Sequence, residues 1–286
     1  MPGEPQQQES ERDTVAVHVE GGVAWVRFNR PDKRNAMSRR LNRRMMEVLD
    51  ELEFRSDVGV LVLGGSGDAW TAGMDLQEYF REPEAEGFEA IRRSQMESYG
   101  WFTRLRQFEK VTIAMVEGWC FGGGYAPLYA CDLAFCSDDA VFGLSEVNWG
   151  ILPGGGASKA VVDLMPMRDA MYHALMGENL TGQQAAAARL VNESLPPDRL
   201  EPRVREVASA LLQKNWATLK ATKRTIRAVR HMEYDVALDY QVRSQEALMY
   251  IDATRGRQEA MRQFLDDKSF KPGLGTYAKD RPADHG

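Results

Sequence analysis

The hydrophobic pattern changes period several times along the chain, and each change marks an element. Residues 14–20 alternate Val15, Val17 and Val19 with Ala16 and His18, the two-residue period of a strand. Gly21-Gly22 suits a tight hairpin turn, and the run 23–28 (Val-Ala-Trp-Val-Arg-Phe) supplies the partner strand. After a loop at 29–37, Leu41, Met45, Val48, Leu49 and Leu52 recur at helical spacing, with Ser38 placed to cap a helix ending near 54. Residues 58–63 and 111–116 are short apolar runs that read as buried strands, and glycines follow both of them. Such strand-to-glycine connections predict a βα-repeating core. A polar insert is expected at 81–87, then an amphipathic helix over 88–108. Short strands at 133–136 and 141–142 flank the turn Ser137-Asp138-Asp139. Helices follow at 157–164 and 168–176, and Thr181 is placed to cap another that reaches 190. From 199 the period is helical: 199–214, 217–231, 234–251 and 255–266. The expected organisation is a disordered tail (1–13), an α/β core (14–198), a helical part (199–270) and a frayed tail (271–286).

Charge and composition narrow the partners. With 36 Lys+Arg against 42 Asp+Glu the net charge is −6, which gives no general attraction to nucleic acid or anionic membrane. Basic residues do gather at 30–44 and 214–230, where a phosphorylated small molecule could bind. Cys120, Cys131 and Cys136 form no Cys-x-x-Cys pair, so neither a disulfide framework nor a zinc site is indicated, and a cytoplasmic setting is expected. No apolar run approaches the roughly 20 residues of a membrane span, and no signal peptide is read.

Candidate chemistry centres on Gly122-Gly123-Gly124, which opens a short helical segment at 125–130. Backbone N–H groups at a helix start suit a developing oxyanion or a phosphate, but the same glycines also suit a tight turn without chemistry. Glu146 stands among Phe142, Leu144, Val147 and Trp149, where burial would raise its pKa and suit it to proton transfer; a structural glutamate fits too. His173 and His231 fall in helices, outside any triad or metal-ligand spacing. Trp70, Tyr79, Trp101, Trp119, Tyr125 and Trp149 gather around the glycine-rich turns, as core aromatics or as walls for a phenolic ligand.

Taken together, the motifs are more specific than any one alone. Asn29-Arg30-Pro31 with Asn35-Ala36, Ala72-Gly73-Met74-Asp75-Leu76, Gly118 with the Gly triplet, Cys131-Asp132-Leu133-Ala134, and Phe142-Gly143 with Glu146 resemble the crotonase (enoyl-CoA hydratase/isomerase) superfamily. The segments 70–81, 118–124, 143–150 and 264–274 are further similar to the hydroxycinnamoyl-CoA (feruloyl-CoA) hydratase-lyases. That resemblance implies a crotonase-like spiral of ββα units with a helical C-terminal trimerisation region, usually assembled as a dimer of trimers. It implies an oxyanion hole from the N–H groups of Met74 and Gly123, and Glu146 as general acid/base. Gly122, Ala72 and Trp149 would line the substrate site, with Arg30, Lys33, Arg34 and Ala36 near the nucleotide of CoA. Tyr79 and Tyr240 would donate hydrogen bonds to a ring para-oxyanion. Phe264 and Lys268 resemble a C-terminal pair that meets CoA, although the spacing here is four residues rather than the commoner three.

One departure concerns mechanism. Ordinary enoyl-CoA hydratases carry a second glutamate two residues after the Gly triplet; here that position is Ala126. The resemblance therefore implies hydration of 4-hydroxycinnamoyl-CoA thioesters (feruloyl-, coumaroyl-, caffeoyl-) by one carboxylate. Cleavage would then give a 4-hydroxybenzaldehyde such as vanillin, and acetyl-CoA. No metal or redox cofactor is expected, CoA being part of the substrate. The alternatives are a single-glutamate enoyl-CoA isomerase and a catalytically silent crotonase-fold binder, for example of RNA through 214–230.

Overall fold

A computed structural model describes residues 14–271, 273 and 275–279; the tail expected at 1–13 lies outside the described residues. The described chain divides into two compact units. The first runs to Phe108 and resumes over Thr112–Arg205; the second comprises Glu109–Val111 and the residues from Glu206.

The α/β expectation for the first unit is met. Among the described residues its strands form two sheets. One has the order β1 (Val15–Glu20), β2 (Val23–Phe28), β3 (Val60–Gly65), β5 (Val111–Val116), β7 (Leu133–Ser137), β10 (Glu193–Leu195). The other has the order β4 (Ala69–Thr71), β6 (Trp119–Phe121), β8 (Val141–Gly143), β9 (Leu180–Thr181). The pairs β3/β4, β5/β6 and β7/β8 are consecutive in the chain, and each places one strand in each sheet. A helix then returns the chain, so the first unit is built as a repeating ββα coil. The opening hairpin is antiparallel with Val15 opposite Phe28, and β2 pairs β3 in parallel. Every residue of β3 and β5 is buried, as a sheet covered on both faces requires.

Helices α1 (Arg39–Glu53) and α3 (Phe88–Gln107) pack on one another over the core. The five apolar positions read from the pattern of α1 are all buried, and Ser38 caps it by accepting from Leu41 N–H. Phe28 sits between Trp70 and Trp101, with ring centroids at 5.7 and 6.1 Å. Both tryptophans are fully buried, and each indole N–H has an acceptor: Leu63 O at 3.1 Å and Asn42 Oδ1 at 2.8 Å.

Several local expectations need correction. The polar insert is largely helical: a π-helical stretch, Leu76–Arg81, runs into α2 (Glu82–Glu86). Pro83, with its φ preset, and acidic Glu82 and Glu84 suit a helix start, which outweighs the polarity of the segment. Strand β6 was hidden because its residues belong to the glycine-rich turn. The remaining first-unit helices are α4 (Tyr125–Ala130), α5 (Ala157–Leu164), α6 (Met167–Met176) and α7 (Gly182–Ala187), the last with a capping box between Thr181 and Gln184.

Helix α8 (Pro197–Leu212) spans the boundary of the units, and α9 (Trp216–Val229), α10 (Tyr234–Ile251) and α11 (Gly256–Leu265) lie in the second. The frayed tail is corrected over 276–279. Gln263, 6% exposed, donates to Ala278 O at 2.7 Å and accepts from Ala278 N–H at 2.9 Å. Asn215 donates to the Tyr277 hydroxyl at 3.3 Å, and Lys279 to Leu212 O at 2.8 Å. Pro and Gly content pointed to a loose end; hydrogen bonds from a buried amide hold it. Residues 272, 274 and 280–286 lie outside the described residues.

Candidate active site

A cavity of about 360 Å³ opens in the first unit. Its walls come from the 72–80 segment after β4, the β6–glycine turn, the Ser145–Leu152 loop and the α3 residues Gln95 and Tyr99.

The 72–75 backbone is held at successive residues. Ala72 N–H donates to Arg34 O at 2.8 Å, and Gly73 N–H to Thr71 Oγ1 at 3.1 Å. Met37 N–H donates to Gly73 O at 2.7 Å, and Asp75 N–H to Met37 O at 3.2 Å. These contacts use the N–H groups of residues 72, 73 and 75 and pass over that of Met74. Gly73, at φ +89°, lies where a Cβ would stand 2.6 Å from Phe121 O and 3.2 Å from Gly123 N. Only a glycine lets the two backbones approach this closely. Gly123 belongs to the first turn of a 3-10 stretch, Gly122–Gly124, where N–H groups lack intrahelical acceptors. Met74 and Gly123 thus lie on adjoining backbone at one cavity wall.

The loop before α1 organises that wall. Asn35 is fully buried at φ +56°, donating to Ser66 O and Ala69 O and accepting from Arg30 N–H. Arg30, expected beside a nucleotide, is instead enclosed, with its side chain 4% exposed. It donates to Ala36 O at 2.7 Å, Asp75 Oδ2 at 2.9 Å and Glu78 Oε1 at 3.0 Å. Burial alone would raise Asp75, but the Glu78 N–H and the Arg30 guanidinium outweigh it and hold the carboxyl below its ordinary range. The guanidinium finds its charge partners within the fold, so Arg30 clamps the 75–78 turn. Ala36, half-buried, contributes its carbonyl to that clamp. Lys33 and Arg34 are exposed, and the Arg34 guanidinium stacks 4.4 Å over Trp119, a cavity-lining ring.

Glu146 follows β8 and the fully buried Leu144. Burial pushes its carboxyl above the ordinary carboxylate value, and Oε2 has no hydrogen-bond partner among the described residues. Oε1 comes within 3.1 Å of where Gly122 would carry a Cβ, so the absent side chain leaves room for the carboxylate. Among the described residues lining the cavity, Glu146 is the one carboxylate. Ala126 is buried on α4 and lines an adjoining cavity of about 270 Å³, which shares Tyr99 and Gly155 with the first.

Tyr79 lines the same cavity and is 7% exposed. Burial pushes its phenol up to about 12. Its hydroxyl lies 3.3 Å from Ser98 Oγ, while Ser98 donates to Gln95 O at 2.9 Å and Ser94 donates to Tyr79 O at 3.3 Å. Ala72, Met74, Tyr79, Gly122, Gly123, Glu146 and Trp149 therefore meet around one space. Tyr240, Phe264 and Lys268 belong to the second unit and are not among the lining residues. Tyr240 is half-buried on α10, and Phe264 stacks edge-on against Phe270 at 6.2 Å. The sequence reading missed Gln95 and Tyr99. Their spacing, one helical turn apart beside the small Ser94 and Ser98, is the signal that could have revealed them. Among the described residues, no group of three or more His, Cys, Asp or Glu side chains is placed to hold a metal ion.

A family model described as enoyl-CoA hydratase/isomerase matches residues 18–272. The chain belongs to this family. It is 48% identical to the hydroxycinnamoyl-CoA hydratase-lyase of Pseudomonas fluorescens over 267 residues, covering 93% of this chain and 97% of the relative. It is 33% identical to 4-chlorobenzoyl coenzyme A dehalogenase-2 of an Arthrobacter species, covering 69% of this chain and 71% of that one. Among solved structures, an enoyl-CoA hydratase of Shewanella pealeana superposes with a TM-score of 0.79 at 25% identity, over 89% of this chain and 94% of the other. The family match carries the crotonase fold, and no described helix is long and apolar enough to cross a membrane.

Proposed function

We propose that this chain hydrates 4-hydroxycinnamoyl-CoA thioesters and cleaves the product to a 4-hydroxybenzaldehyde and acetyl-CoA. The observation that carries the reading is one burial-raised carboxylate, Glu146, in a cavity lined by Met74 and Gly123, whose backbone N–H groups are the proposed oxyanion hole. The 48%-identical relative named as a hydratase-lyase supports the aromatic acyl substrate.

In this mechanism Glu146 takes a proton from water as the oxygen bonds to the β-carbon, and returns it to the α-carbon. The carboxylate next takes the β-hydroxyl proton. The Cα–Cβ bond breaks, its electron pair enters the thioester enolate, and the β-carbon leaves as the aldehyde. The proton on Glu146 then goes to the enolate α-carbon, which releases acetyl-CoA. Both halves build negative charge on the thioester oxygen, where the Met74 and Gly123 N–H groups donate; removing one such donor costs about 3–4 kcal/mol in related chemistry. One carboxylate suffices because each proton it accepts is later returned. Lys33, Arg34, Phe264 and Lys268 are the proposed CoA contacts, and Tyr79 and Tyr240 the proposed contacts to the ring hydroxyl. The chain is proposed to act as a cytoplasmic homo-oligomer, a trimer or a dimer of trimers, through the helical C-terminal part.

Incubation with feruloyl-CoA tests the reading: vanillin and acetyl-CoA should form in equal amounts. A single carboxylate also fits an enoyl-CoA isomerase. A product with a shifted double bond and no aldehyde would replace the lyase with that reading.

A further inference from the structure

Tyr79, Ser98 and Gln95 form a hydrogen-bonded chain in the cavity wall, and the chain has a direction. The Ser98 hydroxyl carries one proton. Gln95 O lies 2.9 Å from Ser98 Oγ and can only accept, while the Tyr79 hydroxyl lies 3.3 Å from the same oxygen. Both contacts are satisfied in one assignment alone: Ser98 donates to Gln95, and Tyr79 donates to Ser98. Reversing Ser98 would forfeit the shorter bond, and back-bonding to a carbonyl one turn earlier is what helical serine does. Ser94, one turn before Ser98 on α3, pins the Tyr79 carbonyl at 3.3 Å. Both serines are fully buried, so water does not compete for these bonds.

We propose that Ser98 is a positioning residue that turns the Tyr79 proton away from the cavity, so that Tyr79 offers a hydrogen-bond acceptor and selects aryl ligands with a protonated ring hydroxyl. This revises the expectation that Tyr79 donates to a para-oxyanion, and it rests on the aryl-acyl-CoA reading of the cavity. A phenol O–H donates to Tyr79, which donates to Ser98, which donates to the Gln95 carbonyl. A phenolate has no proton to give and would meet the Tyr79 lone pairs. The titratable groups sharing the cavity are Glu146 and Tyr99 on α3, whose side chain also hydrogen-bonds Tyr79; with the Tyr79 proton given to Ser98, Tyr99 is the donor in that bond.

The test uses 3-(3,5-difluoro-4-hydroxyphenyl)propanoyl-CoA with the full-length protein. The ligand lacks the double bond, so it cannot be hydrated, and its fluorines bring the ring hydroxyl to ionise near neutral pH. Tyr79, pushed up to about 12, stays protonated there. Phenolate absorbance reports the ionisation of the bound ligand directly. Wild-type protein should keep the ligand protonated to higher pH than in free solution. Ser98→Ala frees the Tyr79 proton to turn toward the ligand and should raise the phenolate-to-phenol ratio about tenfold, the size of one hydrogen bond. Ser98→Thr, which retains the hydroxyl, should behave as wild type. A purely packing role for Ser98 would alter affinity without moving this titration. Identical titrations in wild type and Ser98→Ala overturn the inference alone; failure of the wild type to bind the ligand overturns the aryl-acyl-CoA reading and the inference with it.

Discussion

At Glu146, burial and the proposed chemistry favour the same protonation behaviour. Burial raises its pKa, so the folded state binds this proton more tightly than the unfolded chain does. The associated stabilisation is present below the unfolded carboxylate pKa and is lost as pH rises through the folded value. Glu146→Gln should therefore unfold at a higher temperature than wild type at neutral pH, and the difference should close below the ordinary carboxylate range. The same substitution should lower hydration and cleavage by about 10²–10⁴-fold, the usual worth of general acid–base catalysis. A variant that kept a tenth of the wild-type rate would refute the single-carboxylate mechanism. In the wild type the acid limb of kcat/KM should lie above the ordinary carboxylate pKa.

At the scale of elements, the site depends on a turn held from outside. Arg30 reaches from the loop before α1 into the 75–78 turn and joins Asp75, Glu78 and the Ala36 carbonyl. Arg30→Met leaves Asp75 without its cation and Glu78 with Arg40 alone, and should cost about 3–5 kcal/mol in denaturant unfolding, as breaking a buried pair does. Arg30→Lys should recover less than half of that loss, because an ammonium cannot span three acceptors as the planar fork does. Asp75 adds a pH dependence of the opposite sign to Glu146. Its lowered pKa stabilises the fold above the unfolded carboxylate value, and this is lost as pH falls through the folded one. Full rescue by lysine would reduce Arg30 to a mere charge. Gly73 tests the other support. Gly73→Ala combines φ +89° with a Cβ 2.6 Å from Phe121 O, so it should cost more than about 1 kcal/mol. Because the strain pushes the Met74 and Gly123 segments apart, kcat should fall while the soluble yield at low temperature is retained. Unchanged kcat in the folded variant would detach the Gly73 contact from catalysis.

At the scale of the whole molecule, the second unit carries apolar side chains that the described residues leave exposed. On α10, Tyr234 is 77% exposed, Val236 59%, Tyr250 88% and Ile251 59%. Helix α6 in the first unit exposes Met171, Tyr172 and Leu175 to more than half of their area. These exposed side chains are where the proposed homo-oligomer would be expected to associate. Sedimentation velocity should find a trimer or a multiple of it, and the double substitution Val236→Asp, Tyr250→Asp should shift it toward smaller species. A wild-type monomer at micromolar concentration would remove the proposed homo-oligomer.

Periodicity fixed in advance what depends on neighbours along the chain. The strand alternation of 15–20, the apolar face of α1 and the Ser38 cap were legible because each is a local fit of side chains to one element. The motif resemblance pointed to the family because glycines and carboxylates at set intervals survive as a string of letters. What tertiary structure decided depends on residues far apart in sequence. Arg30 looked like a cation for a nucleotide until residues 45 and 48 positions away enclosed it. Gln95, Ser98 and Tyr99 carried no motif, and only the packing of α3 beside the 76–81 stretch brought Gln95 and Tyr99 to the cavity wall and Ser98 against Tyr79. The direction of the Tyr79 hydrogen bond was likewise beyond sequence reading, since it follows from which oxygen stands nearest to Ser98 in space. Local composition sets where the chain turns and what it can bury; long-range contacts set which polar groups are spent inside the fold and which remain for a ligand.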